Sequence, residues 1–236
     1  MPRSSSRTAD GAPPAREPLS HERVRAAALA LVDAEGADAL TMRRLARELD
    51  CTAMALYRYA ESREALLDEV VESVMTELTI VPGTLDWEAQ LRRTAHDFRD
   101  LALAHPHIVP LLVTRPLSTP LGLRPLSTLR PLEALVALLV DAGFSPRDAL
   151  HVYRAYFGFL YGHVLTELQE LVADPDESDD LLRLGLHRLP AREFPHVREL
   201  APELAEYDGA TELEQGLDVL LAGLRSQLRS DASSPA

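Results

Sequence analysis

Residues 41–67 read TMRRLARELDCTAMALYRYAESREALL, and this stretch decides the fold. Apolar residues recur at helical spacing after Thr41, a residue type that caps helices, so the pattern predicts a short helix that ends near Leu49. Asp50 tolerates the left-handed geometry of a turn, and Thr52 can cap a second helix. Two helices joined by so short a turn cross steeply, which is typical of a helix-turn-helix.

A third helix is predicted to begin after Ser62, whose side chain can cap it. Its apolar positions continue to Leu78, before Pro82 and Gly83 stop it. Its free N–H groups would lie beside the second helix, where they can bind a phosphate. Because the helix is long, we expect residues 62–81 to reach from this motif into the rest of the protein and to act as a lever.

Arginine and tyrosine side chains fall on or beside the outer face of these helices. They are Arg43, Arg44, Tyr57, Arg58, Tyr59 and Arg63. Guanidinium and phenol groups can contact phosphates and base edges when a helix enters the major groove of DNA. The alternative from spacing alone is an ordinary three-helix bundle with a solvated arginine face.

Three strings resemble the N-terminal DNA-binding domain of the TetR family of transcriptional repressors. They are Leu45-Ala46-Arg47-Glu48-Leu49, Ala55-Leu56-Tyr57-Arg58-Tyr59 and Arg63-Glu64-Ala65-Leu66-Leu67. The resemblance covers about residues 20–67 and extends more weakly to Thr-Arg-Pro at 114–116. Three positions depart from the family pattern: Asp50 replaces a turn glycine, Tyr59 stands where histidine is commoner, and Ala60 replaces a bulky apolar residue.

The resemblance implies roles for the matching positions. Arg43 and residues 52–55 would face base edges, Tyr57 and Arg63 would hold phosphates, and Leu45 and Leu56 would be core. The expected DNA contacts are Thr41, Arg43, Arg44, Thr52, Ala53, Met54, Ala55, Tyr57, Arg58, Tyr59 and Arg63.

Helical periodicity continues throughout the chain, and no segment alternates as a strand would. We therefore predict an all-α protein with a disordered arm over residues 1–19, a three-helix DNA-binding domain over 20–66, and a larger helical domain over 67–230 for ligand binding and dimerisation. The arm is rich in Ser, Pro and Ala, and its arginines would either touch the minor groove or belong to an inert tail.

The net charge of −13 is unevenly distributed. Residues 1–65 hold ten arginines and ten acids, so the second domain carries all the excess acidity. Only local arginines would then attract DNA. We expect a cytoplasmic protein, because no apolar run approaches the roughly 18 residues of a membrane span and no signal peptide is evident. The single cysteine, Cys51, excludes an internal disulfide and suits an apolar filler or, alternatively, a redox sensor.

Two long helices in the second domain are candidates for a homodimer contact, which the resemblance implies. One carries Gly158 and Gly162, whose spacing of four residues permits close helix approach, and the other carries a leucine stripe. The predicted interface comprises Gly158, Gly162, Leu213, Leu217, Leu220, Leu221 and Leu224.

Aromatic side chains of the second domain are candidates for an effector pocket, the alternative being simple core packing. With one histidine, the candidates are Trp87, His96, Phe98, Tyr153, Phe157 and Tyr161. Tetracycline-binding members of the family use a histidine before Thr-Arg-Pro to hold a chelated magnesium, but residues 111–113 here are Leu-Leu-Val. We therefore expect an apolar or aromatic effector, with no cofactor and no metal.

Two other function classes remain open. An enzyme could use His105, His107 or His96 with nearby Asp97 and Asp100, but Pro106 keeps the first two histidines off one helical face, and no catalytic motif accompanies them. The structural interpretation has them capping a helix end in solvent. A protein-interaction bundle would not explain why arginines lie on the outer face of the helix-turn-helix. The sequence thus favours a ligand-responsive repressor that is not an enzyme and whose partners are double-stranded operator DNA, a small effector and a second copy of itself.

Overall fold

A computed structural model of the protein describes residues 18–78, 80, 86–114, 126–170 and 185–232. Within these ranges it contains eleven α-helices, two short 3-10 turns and no strand, which confirms the all-α prediction. Most of the predicted N-terminal arm and Arg115-Pro116 lie outside the described residues. The helices are α1 (His21–Glu35), α2 (Met42–Glu48), α3 (Ala53–Leu56), α4 (Arg63–Met75), α5 (Trp87–Ala104), α6 (Val109–Thr114), α7 (Leu126–Asp141), α8 (Pro146–Glu170), α9 (Pro195–Glu199), α10 (Ala201–Ala205) and α11 (Gly209–Ala232).

Side-chain caps fix where the first four helices begin. The hydroxyl groups of Ser20, Thr41, Thr52 and Ser62 each accept a hydrogen bond from the backbone N–H three residues on, at 3.0–3.2 Å. These bonds satisfy N–H groups that have no partner inside the helix. Asp50 takes a φ of 50° between α2 and α3, so it supplies the left-handed turn where the family pattern has glycine. The predicted caps and turn are confirmed.

Helix α4 joins the two halves of the molecule. Leu66, Leu67, Val70 and Val74 are buried along it, and it packs against α1 at one side and against α6 and α7 at the other. The predicted boundary between residues 66 and 67 therefore lies inside a continuous helix. The helix ends at Met75, three residues before the predicted Leu78.

The second half is built around α8, which packs against α5, α7 and α11. The helix begins at Pro146, where proline lacks the N–H that a first helical residue does not need. Helix α7 begins at Leu126 and includes Pro131. A proline inside a helix removes one backbone hydrogen bond, and packing of α7 on α8 offsets that loss.

The leucine stripe of α11 corrects part of the predicted dimer interface. Leu213, Leu217, Leu221 and Leu224 have exposed fractions of 0%, 0%, 1% and 7% within the single chain. Since α5 and α8 already cover these four side chains, they are core residues with no surface left for a partner. The outward face of α11 is different and carries Val219, which is 77% exposed.

Candidate functional site

The helix-turn-helix presents one exposed edge above a sealed core. Leu45 and Leu56 are fully buried, as expected, and hold α2 against α3. The partly buried Ala53 and Ala55 flank Met54, which is 78% exposed although it is a large apolar residue. The exposed members of the predicted contact set are Thr41, Arg43, Thr52, Met54, Tyr57 and Arg58. Residues 41–58 contain four arginines and two acids, so this edge is locally positive in an acidic chain.

Arg44 is engaged by α1. Its guanidinium makes a two-point ion pair with Glu35, and one of these bonds, from Nη1 to Oε2, measures 2.7 Å. This hydrogen bonding raises the pKa of Arg44 and lowers the pKa of Glu35. The pair ties the last turn of α1 to the first turn of α2, directly beside Arg43.

Two other residues that were expected to reach DNA turn towards the protein. The Nε and Nη2 groups of Arg63 donate to the carbonyl oxygens of Leu40 and Ala37, at 2.6 and 2.7 Å. The hydroxyl of Tyr59 donates to the carbonyl of Leu19 at 2.9 Å. Both side chains brace the segments around α1, so we leave them out of the contact set proposed below. No sequence pattern indicated these backbone acceptors.

Four of the six predicted effector residues lie together between α5 and α8. Phe98 makes edge-on contacts with Phe157 and Tyr161, with ring centroids 6.2 and 5.5 Å apart, and Tyr153 lies 4.9 Å from Phe157. Tyr156, which was not predicted, lies 5.4 Å from Phe157. We call these five residues the aromatic cluster. Phe98 and Tyr156 are fully buried, Phe157 is 5% exposed, and Tyr153 and Tyr161 are partly buried.

Trp87 and His96 lie apart from the aromatic cluster, which corrects their place in the predicted pocket. Trp87 stacks edge-on against Phe144 at 5.7 Å, near the start of α8. His96 is 42% exposed and contacts Glu214 on α11 through Nε2. Residues on opposite sides of one helix cannot line the same cavity, and Phe98 occupies the buried side of α5 while His96 does not.

Buried polar groups beside these aromatics were missed from the sequence. Gln90 and Thr94 are 2% and 0% exposed, and Gln90 Nε2 donates to Thr94 Oγ1 at 3.3 Å. Their spacing of four residues places them on the apolar face of α5, a signal that could have been read from the sequence. The ion pair of Arg99 with the buried Glu167 joins residues 68 positions apart, and no local pattern predicts it.

His163 lies next to that ion pair. Its side chain is 7% exposed, its Nε2 lies 3.5 Å from Glu167 Oε2, and Nε2 has no hydrogen-bond partner in the part of the chain that the structure describes. Burial lowers the pKa of His163. Burial also raises the pKa of Tyr161 to about 12, so its hydroxyl stays protonated and can donate.

A cavity of about 600 Å³ opens between α1 and α4. Its lining includes Glu22, Arg25, Glu69 and Glu72. Over the described ranges, no group of three or more His, Cys, Asp or Glu side chains could hold a metal ion. No helix in those ranges is long and apolar enough to cross a membrane.

The outward face of α8 leaves room for another helix. A Cβ atom added at Gly158 or Gly162 would meet no atom within 4 Å. At Gly216 of α11, in contrast, an added Cβ would come within 2.5 Å of the Phe159 ring. Gly216 therefore serves the packing of α11 on α8 inside one chain, whereas Gly158 and Gly162 face solvent.

Family models match most of the chain. The model described as bacterial regulatory proteins, tetR family, matches residues 24–70, and the tetracyclin repressor-like C-terminal domain model matches residues 81–228. The class C tetracycline repressor protein of Escherichia coli is 32% identical over 215 residues, which are 87% of this chain and 90% of that protein.

An HTH-type transcriptional regulator from Saccharopolyspora erythraea is 28% identical over 209 residues, 87% of this chain and 84% of the relative. Among solved structures, apo ActR of Streptomyces coelicolor aligns with a TM-score of 0.76 and 29% identity, covering 92% of this chain and 100% of ActR. ActR bound to actinorhodin aligns over the same fractions with a TM-score of 0.73 and 29% identity.

We predict that His163 makes the fold sensitive to acid. Its folded pKa lies below the unfolded value of about 6.5, so its contribution to stability is complete above that pH and is lost as the pH falls. The thermal unfolding midpoint, measured from about pH 8 to about pH 5.5, should fall less steeply in His163→Gln than in the wild type. His151→Gln, an exposed change on the same helix, should keep the wild-type slope. Equal slopes for all three proteins would contradict the prediction.

Proposed function

The chain belongs to the tetR family of bacterial regulatory proteins, and from that premise we propose that it is a repressor that binds a palindromic operator as a homodimer and releases it when a small aromatic or apolar effector binds. As a family member it is a transcriptional regulator and not an enzyme. The observation that carries the proposal is the exposed edge of the helix-turn-helix, where Arg43 and Met54 project from helices whose other faces are buried.

In the proposed complex, α3 enters the major groove of the operator. Arg43 reads a guanine edge by a bidentate contact, and Met54 packs on a thymine methyl group. Thr41, Thr52, Tyr57 and Arg58 contact phosphates and set the register. Arg44 stays on Glu35 and holds α2 in place. The acidity of the rest of the chain keeps non-specific binding weak, since long-range attraction to DNA is small.

The proposed homodimer uses the outward faces of α8 and α11. Gly158 and Gly162 on α8 and Val219 on α11 are exposed, and Leu220 is partly exposed. Small residues allow two α8 helices to approach closely, and covering Val219 removes a large apolar side chain from water. Two identical readers on one two-fold axis would meet half-sites about 34 to 36 Å apart, which requires a palindromic or nearly palindromic operator.

The proposed effector binds at the aromatic cluster. Its rings offer edges and faces that favour stacking with an aromatic ligand. The Tyr161 hydroxyl and the buried Gln90–Thr94 pair are polar groups that could orient it. ActR, with the same fold, was crystallised with actinorhodin, which supports a small-molecule effector. Because Phe98 and Tyr156 are fully buried, an effector at the cluster would displace side chains on entry.

Release would follow from movement of α4. Leu66 and Leu67 of this helix belong to the core of the helix-turn-helix domain, and farther along the helix packs on α6 and α7. The effector would bind more tightly when the two helix-turn-helix motifs of the dimer have one particular spacing. It would thereby raise the population of dimers with that spacing, which does not fit the operator. A cytoplasmic location, where operator DNA is available, is part of the proposal.

Substitutions in the reader should separate two kinds of DNA contact. Arg43→Ala should relax base preference at one position of each half-site and cost about 1–3 kcal/mol, because a bidentate base contact is lost. Tyr57→Phe should weaken binding to all sequences alike. Selection of DNA from a random pool, followed by affinity measurements, tests both, with the exposed Arg47→Ala as the matched control. An unchanged base preference in Arg43→Ala would exclude its reading role.

Substitutions in α8 and α11 should separate dimerisation from folding. Gly158→Leu should give a folded monomer that no longer binds the operator tightly, because the added side chain clashes only with a partner. Leu221→Ala should instead cost about 2–5 kcal/mol of folding free energy, since it leaves a cavity in a single-chain core. Sedimentation velocity and thermal unfolding distinguish the two outcomes. A Gly158→Leu protein that still sediments as a dimer would refute the interface.

Effector release should not require a divalent ion. Actinorhodin, used as an aromatic probe, should release selected DNA equally well in EDTA and in magnesium, because Leu111 and Leu112 supply no metal ligand where magnesium-dependent members have histidine. Fluorescence anisotropy of labelled DNA measures the release. Minocycline, a metal-chelating compound, is the control. Release by actinorhodin that is abolished by EDTA and restored by magnesium would overturn the metal-free site.

A further inference from the structure

Two histidines at the end of α5 hold the end of α1. The Nδ1 group of His105 donates to Asp33 Oδ2 at 2.9 Å, and the Nδ1 group of His107 donates to the backbone carbonyl of Asp33 at 3.1 Å. The carboxylate and the carbonyl can only accept, so both histidines carry a proton on Nδ1. We call His105, His107 and Asp33 the histidine clamp.

Part of the histidine clamp is buried, which is not needed for a helix cap that meets solvent. The His105 side chain is 15% exposed, which corrects the expectation that it meets solvent, whereas His107 is exposed as expected. Asp33 Oδ1 is buried and has no hydrogen-bond partner in the described part of the chain. A buried carboxylate oxygen without a partner is costly, so the position of Asp33 depends strongly on the contacts that remain. Just after the clamp, Ile108 and Val109 are fully buried and fix the loop.

Each side of the histidine clamp leads to one proposed site. On the α5 side, Phe98 of the aromatic cluster lies seven residues before His105, about 10 Å along one rigid helix. On the α1 side, Glu35 pairs with Arg44 of α2, and the carbonyls of Ala37 and Leu40 accept from Arg63 at the start of α4. These contacts therefore connect α5 to the helix-turn-helix through α1, separately from the length of α4.

We infer that the histidine clamp transmits the state of the aromatic cluster to the DNA reader, with His105, His107 and Asp33 acting as positioning residues. The inference rests on the proposed function for its biological meaning. Physically, it requires only that a change at Phe98 alters the segment after Asp33 and that this effect passes through the clamp. Proximity alone does not establish such coupling; double-mutant measurements do.

Hydrogen exchange of the full-length protein tests the coupling without DNA or effector. Phe98→Leu disturbs the aromatic cluster and should speed amide exchange in peptides from residues 33–49 by about threefold. In an Asp33→Ala background the same change should have no further effect, because alanine offers His105 Nδ1 no acceptor and the side-chain bond of the clamp is lost. If Phe98→Leu has the same effect in both backgrounds, the clamp does not carry the coupling and the inference fails.

Matched variants separate coupling from general damage. Asp141→Ala, at the exposed end of α7, should leave the Phe98→Leu effect intact. His105→Leu removes the donor and should behave like Asp33→Ala, whereas His105→Asn keeps an N–H near the Nδ1 position and should restore coupling. If Asp33→Ala does not fold, as judged by circular dichroism, His105→Leu decides the result in its place. Coupling lost equally in His105→Asn and His105→Leu would overturn the role of the Nδ1 bond.

A second arm measures affinity for double-stranded DNA that the wild type selects from a random pool. Phe98→Leu should change this affinity at least several-fold with the clamp intact and less than twofold in Asp33→Ala. If the wild type selects no DNA, the proposed function fails, while the exchange experiment still decides the clamp. If DNA is selected but the Phe98→Leu effect is equal in both backgrounds, the proposed function stands and the clamp is excluded.

Discussion

The apolar face of α4 is the constraint on which the rest of the structure depends. Leu66 and Leu67 complete the core of the helix-turn-helix, and Val70 and Val74 extend that face to where α4 meets α6 and α7. Because one helix serves both cores, the halves cannot move independently without exposing buried apolar surface. The orientation of α3, and with it the exposed reading edge, is thereby tied to the packing of the larger helical domain.

Polar contacts around α1 add directional constraints to these apolar contacts. Arg63 donates to two backbone carbonyls after α1, Arg44 holds Glu35, and Asp33 receives the two histidines. Hydrogen bonds to charged groups are directional and are lost over a small displacement, whereas apolar contacts tolerate sliding. The apolar core thus supplies stability, and these bonds define how the helix-turn-helix is oriented. The arginines of the helix-turn-helix are accordingly divided: Arg44 and Arg63 bond to the protein, and Arg43 and Arg58 are exposed.

The larger domain contains an aromatic cluster and a set of buried polar groups on the same helices. Phe98 packs in the cluster, while Arg99, the next residue of α5, pairs with Glu167 of α8 beside His163. Buried ion pairs contribute little net stability but are strongly destabilising when one partner is removed. The ion pair constrains how α5 and α8 meet, so the aromatic cluster lies between helices whose relative positions are also specified by polar contacts.

The sequence by itself determined the helices, the caps and the helix-turn-helix, because these depend on contacts within a few residues. Thr41, Asp50, Thr52 and Ser62 act locally, and the 3.6-residue period marks which positions are buried. Only the tertiary structure decided which leucines of α11 are core, which arginines face inward, and that Trp87 and His96 lie apart from Phe98. Those outcomes depend on partners such as Glu167 for Arg99 and Asp33 for His105, which lie far apart in sequence. Periodicity tells which face of a helix is buried, but the element that covers that face is set by the packing of the whole chain.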